Sequence, residues 1–242
     1  MPEKDFRSHW PERIEAGWWD GMPVRRDYYL AHDADKVLCW IFENLDAPGL
    51  AVLDASHHLP AAGRDAAGEF AASHVPGARF LGLASLFDAG SLVPYALPTP
   101  DQLAARLGLL GVRPEDAIIL YDDSAIRTAA RAWFVLTASG RANVAILDGG
   151  LAKWRAEERA LEMGMADFAP AALATFTAPE RVRSKADMLA NLTSHAEQVI
   201  DARAAERVFG TGTDPFNGLP MGRIPGSGNL PYTDLFNPDG TY

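Results

Sequence analysis

Parts of this chain are written twice. VLDAS at 52–56 and VIDAR at 199–203 stand 147 residues apart, and HVPGARFLGLASLF at 74–87 and RIPGSGNLPYTDLF at 223–236 stand 149 apart. Each copy therefore puts an apolar strand first and a Pro-Gly turn before the next extended run, and a two-residue insertion separates the spacings. A period near 150 exceeds the roughly 20–50 residues of solenoid repeats, so it marks a duplicated domain. Two copies of one sheet-forming unit leave few folds open.

The rest of the first copy defines the sheet type. In AIILYDDSAIRTAARAW at 117–133, Ile118, Ile119 and Leu120 form the continuous apolar run of a strand buried on both faces. Asp122, Asp123 and Ser124 break it, and a helix is expected from near Thr128, with Ala129, Ala132, Trp133, Phe134, Val135 and Leu136 in a wide apolar face. Further strands are expected at 50–56, 78–83 and 143–148. Helices are expected at 36–45, 66–73, 101–110 (Asp101 as N-cap, Gly111 as stop), 151–160 (Leu151 and Trp154 inward) and 185–192. Strands alternating with helices predict an α/β fold with mostly parallel sheets. The organisation expected is an extension over 1–35, a first domain at 36–161, a linker rich in Ala, Pro and Thr at 162–184, and a second domain at 185–242. Asp122 shifted by 149 falls beyond Tyr242, so the second copy is expected to be incomplete and to have no counterpart of the strand–loop–helix.

In an open α/β sheet, ligands gather at the carboxyl ends of strands, where loop amides and a helix N-terminus favour an anion. The loop at 122–128 occupies that place, with a carboxylate where a nucleophile would stand. The single cysteine, Cys39, lies in the amphipathic run at 36–45 with no cationic neighbour to lower its pKa, which predicts a structural thiol and a reducing, cytoplasmic setting. Adjacent His57 and His58 lack further ligands at metal spacing, so no metal site is expected, and His74 reads as a hydrogen-bonded structural histidine. No cofactor fingerprint is present: Gly149-Gly150 is a turn. A net charge of −10 disfavours a nucleic-acid partner, and no apolar run approaches the ~18 residues of a membrane span.

FAASHVPGARFL, AILDGGLAKW, RTAARAW and VIDARAAERVFG followed by GRIPGSGNLPY resemble the tandem-domain rhodaneses, the thiosulfate and 3-mercaptopyruvate sulfurtransferases. The resemblance covers about 45–242. It implies two rhodanese-like domains, a small anionic sulfur donor such as thiosulfate or 3-mercaptopyruvate, and a thiol or cyanide acceptor. It also implies a catalytic cysteine that carries a persulfide on the loop of the second domain only, expected beyond Tyr242. The first-domain counterpart of that position is usually Asp, here Asp122. A carboxylate cannot carry sulfane sulfur, so the loop of Asp122, Asp123, Ser124 and Arg127 reads as a structural relic or docking surface, with Asp123, Arg127 and Arg131 in anchoring ion pairs. The chain as given is then expected to be inactive. The rival reading is a non-catalytic rhodanese-like binding module.

By the same resemblance Arg207 matches a substrate-binding arginine, and a guanidinium fork suits an anionic donor. Its competing reading is a surface ion pair with Glu206 or Asp214. Several positions depart from the mercaptopyruvate type: Phe216 replaces a second arginine, Tyr95 and Arg223 replace histidines, and Ala84 replaces an Asp.

Overall fold

In a computed structural model, residues 45, 47–93, 95–172, 182–215 and 218–242 are described, together with the backbone pairing of β1 (Glu15–Ala16) with β2 (Val24–Arg25). That pairing is antiparallel, Glu15 opposite Arg25. Cys39 and the helix expected at 36–45 otherwise lie outside the described residues.

The main sheet is parallel and four-stranded, ordered β4 (Arg79–Phe80), β3 (Leu50–Asp54), β5 (Ala117–Tyr121), β6 (Val144–Ile146). Five residues of β3 face five of β5, from Leu50 opposite Ala117 to Asp54 opposite Tyr121. Successive side chains of a strand point to opposite faces, so each strand feeds two cores. Ala51, Leu53, Ile118 and Leu120 meet Leu103 and Leu107 of α2 (Pro100–Leu109) and Ala132, Val135 and Leu136 of α3 (Thr128–Ala138). On the other face Val52 and Tyr121 meet Phe70 of α1 (Ala66–Ala72) and Leu151 and Trp154 of α4 (Gly150–Ala156). The sandwich of helices around a parallel sheet is the fold class expected.

Local details differ from the sequence reading. Thr99, not Asp101, caps α2: its hydroxyl accepts from Gln102 N while Gln102 accepts from Thr99 N, a closed capping box with Pro100 behind it. Proline suits the first helical position because its φ is already helical and its missing N–H would have no partner there, so the cap falls one residue before it. The run expected at 78–83 pairs only at Arg79–Phe80, because Gly82 turns left-handed (φ 62) into a short 3₁₀ turn at Leu83–Ser85. Phe134 is 38% exposed, outside the buried face, and Trp133 is partly buried with its indole N–H donating to Val144 O.

In the second half, α5 (Lys185–Ser194) leads to β7 (Ile200–Asp201), α6 (Ala205–Phe209) and β8 (Gly228–Asn229). The repeat reproduces its register. Leu53 and Asp54 face Arg79 and Phe80 in parallel, and Ile200 and Asp201 face Gly228 and Asn229 in parallel. Leu81 N bonds Asp54 O at 2.9 Å, and Leu230 N bonds Asp201 O at 3.0 Å. The start of the expected linker is strapped to the first half: Glu162 and His74 exchange backbone bonds, and Ala171 N donates to Gly108 O.

Candidate functional site

The first-half site stands at the carboxyl ends of β3 and β5. Burial pushes both Asp54 and Asp122 above the usual carboxylate range, opposed at Asp54 by the Ser56 hydroxyl and amide and at Asp122 by the amides of Ala129 and Ser124. Asp122 does not point into solvent. Its Oδ2 accepts from Ala129 N at 2.6 Å and lies 3.4 Å from Thr128 Oγ1, while its carbonyl accepts from Leu151 N at 3.0 Å. A helix start leaves amides without intrahelical partners, and α3 begins after Arg127, which is left-handed (φ 53) and offers no side-chain cap. Asp122 supplies that cap from outside the helix. Gly150 makes the close approach of α4 possible, since a Cβ there would sit 2.5 Å from Asp122 O.

Hydroxyls knit the two strand ends together. Ser56 Oγ accepts from Asp123 N, Ser124 Oγ accepts from His57 N, and Thr128 Oγ1 donates to Ala55 O at 2.7 Å. Asp123 makes the anchoring ion pairs expected of it, with Arg64 at 3.2 Å and Arg155 at 3.0 Å. Arg64 also grips Glu69, which it holds below the usual carboxylate range, and His58 meets the same carboxylate at 3.0 Å. His74 is buried, with Nδ1 2.8 Å from Phe70 O, as its structural reading requires.

The ion pairs expected for Arg127 and Arg131 take another form. Arg131 Nη2 donates to Tyr95 O at 2.6 Å, and the Arg127 guanidinium lies over the Phe236 ring, 4.9 Å from its centroid. Asp122 is turned inward to Ala129, with the Arg127 charge still acting on it, and Asp123 is held by Arg64 and Arg155. The 236–242 turn of the second half covers this corner. Phe236 and Tyr242 pack with centroids 4.6 Å apart, Tyr242 N donates to Asp148 Oδ1 at 2.9 Å, and a Cβ on Gly240 (φ 85) would meet Arg127 Nη2 at 2.5 Å.

In the second half, Arg207 on α6 forms an ion pair with Asp214, Nη2 and Nε reaching the same Oδ2 at 2.7 and 2.8 Å. Asp214 is only 1% exposed, so the pair is far less superficial than a surface bridge. Arg203 Nη1 approaches the same carboxylate at 3.6 Å and is bonded mainly to Asp201 at 2.6 Å. Phe216 lies outside the described residues, and Arg223 stacks on Phe209. Sequence reading missed Arg64, Arg155 and Ser56 at the first site, because the loop partners that bring them there are 59, 32 and 67 residues away in the chain.

A parallel sheet covered by helices on both faces, with the register of its first strand pair repeated in the second half, defines a two-part α/β protein. The model of the rhodanese-like domain matches residues 40–157. Mouse 3-mercaptopyruvate sulfurtransferase is 37% identical over 207 residues, covering 83% of this chain and 70% of the relative. The Escherichia coli K12 3-mercaptopyruvate sulfurtransferase is 35% identical over 197 residues, covering 81% and 70%. The crystal structure of SseA from Escherichia coli superposes with a TM-score of 0.75 at 33% identity, over 84% of this chain and 77% of that one. The chain belongs to the tandem-domain rhodanese family of thiosulfate and 3-mercaptopyruvate sulfurtransferases.

Proposed function

We propose that the chain serves sulfane-sulfur transfer, its second half binding an anionic donor, thiosulfate or 3-mercaptopyruvate, and its first half acting as a non-reacting partner domain. With thiosulfate, a cysteine thiolate attacks the outer sulfur, the sulfur–sulfur bond to sulfite breaks, and sulfite leaves with the electron pair. A thiol or cyanide then takes the sulfur from the persulfide and the thiolate returns. Cys39 is not that carrier, because it precedes the first repeat and belongs to neither strand-end loop. What supports the reading is the family membership together with Arg207, a guanidinium whose chemistry suits carboxylate or thiosulfate oxygens and whose Nε and Nη2 are held by Asp214. The inward Asp122 supports a first half that does not react: its acceptor oxygen is spent on the α3 amide.

Thiocyanate release from thiosulfate and cyanide tests this. The protein of these 242 residues is expected to give no Cys39-dependent rate, and a form carrying a family-type cysteine loop in the second repeat is expected to turn over. In that form Phe216→Arg should raise kcat/KM for 3-mercaptopyruvate over thiosulfate by about tenfold, the worth of one charged hydrogen bond. An unchanged ratio removes position 216 from donor choice. The rival binding-module reading gains if that form stays silent. Among the described residues no helix is long and apolar enough to cross a membrane, and a cytoplasmic location is part of the proposal.

A further inference from the structure

We propose that Asp214 is the positioning residue of the donor site, holding the Arg207 guanidinium in the orientation that receives the donor; this rests on the reading of Arg207 as the donor-binding arginine. Three observations carry it. The Asp214 carboxylate is 1% exposed, whereas the Arg207 side chain is 23% exposed, so the buried anion is the fixed partner and the cation reaches from it toward solvent. Asp214 is itself fixed at the backbone, its N–H donating to Leu219 O at 2.7 Å and its carbonyl accepting from Gly218 N at 2.9 Å, beside the antiparallel bridge of Thr213 with Pro220. Both Nε and Nη2 of Arg207 meet one oxygen of Asp214, which sets the rotation of the guanidinium plane.

An arginine on a five-residue helix such as α6 would otherwise sample many rotamers, and an anion binding it would have to bear that ordering cost. A buried carboxylate that must be paired imposes the order in advance, because leaving it unpaired is costly. Arg203, already bonded to Asp201 and to Gly222 O, approaches Asp214 only at 3.6 Å and is the lesser partner.

Titrate the 242-residue protein calorimetrically with thiosulfate and with 3-mercaptopyruvate, and follow the Arg207 Nε–H resonance in ¹⁵N NMR. Arg207→Ala is expected to abolish binding. Asp214→Asn is expected to weaken it up to about tenfold, the effect of freeing one rotamer-rich side chain, and Asp214→Glu to recover most of the loss. If Arg207→Ala binds as the wild type does, or the wild type binds neither donor, the donor-site reading itself fails. If Arg207→Ala loses binding while Asp214→Asn keeps it, only the positioning role fails. Should Asp214→Asn not fold, the wild type still decides: a slowly exchanging Arg207 Nε–H that shifts on adding thiosulfate supports the role, and an exchange-averaged one overturns it.

Discussion

Leu53 and Ile200 occupy the same place in the two copies, facing Arg79 and Gly228 in the same parallel register, yet Leu53 is fully buried and Ile200 is 49% exposed. Leu81 and Leu230 repeat the contrast, at 0% and 45%. Register and burial thus have different origins. Pairing is set locally by the strand and the Pro-Gly turn that returns the chain to it. Burial is set by what flanks the pair: β5 and β6 extend the sheet of the first and four helices cover its faces, and among the described residues no third strand joins the second. Equal backbone geometry therefore does not confer equal burial.

The largest difference between the halves should appear in paired truncations of these equivalent residues. Leu53→Ala is expected to cost about 2–5 kcal/mol in urea unfolding, as a cavity in a close-packed core does. Ile200→Ala should cost less than about 1 kcal/mol, since half its surface is already wet. Equal costs would show that the two pairs belong to one cooperative unit. Limited proteolysis sharpens the same contrast. First cuts are expected at 182–242, whereas 162–171 should resist with the first half to which it is bonded.

Next in size is Asp122→Ala, which strips the α3 amide of Ala129 of its acceptor and should cost about 1–3 kcal/mol of first-half stability. Its acid dependence has a definite sign. Asp54 and Asp122 have folded pKa values raised by burial, so between the ordinary carboxylate value near about 4 and the raised one the native first half keeps protons that the unfolded chain has shed. Their contribution is present below that window and lost as pH rises through it. Asp122→Asn should flatten the slope of first-half stability against pH there, and an unaltered slope would remove Asp122 as its source. The smallest effect is expected from Arg127→Ala, about 0.5–1 kcal/mol for a cation over a ring, read as faster amide exchange at Tyr242 with the first-half core unchanged.

Much of the first half was legible from its residues. The apolar run at 118–120 and the wide apolar face from Ala129 to Leu136 in α3 name the sheet and its cover, and the internal repeat locates β7 and β8 before any coordinate is known. What stayed illegible is long-range or turns on one residue. Asp101 looks like a cap until Pro100 places the helix start, and Arg127 and Arg131 look like ion-pair partners until the nearby carboxylates prove to be engaged. Arg207 was legible as a candidate only through the family motif. That its partner Asp214 is buried rather than superficial depends on how the chain closes between Thr213 and Pro220, which no spacing encodes.

The contact of Gly240 with Arg127 ties the histories of the two halves together. A side chain at 240 would overlap Nη2 of Arg127, and a shorter residue at 127 would uncover the Phe236 ring. Any side chain at 240 is strained first by the left-handed backbone there (φ 85), and Arg127 can give way to it only by drawing its guanidinium off the Phe236 ring. Relatives that replace Gly240 should have moved the turn whatever stands at 127, whereas those that change only 127 should have kept it.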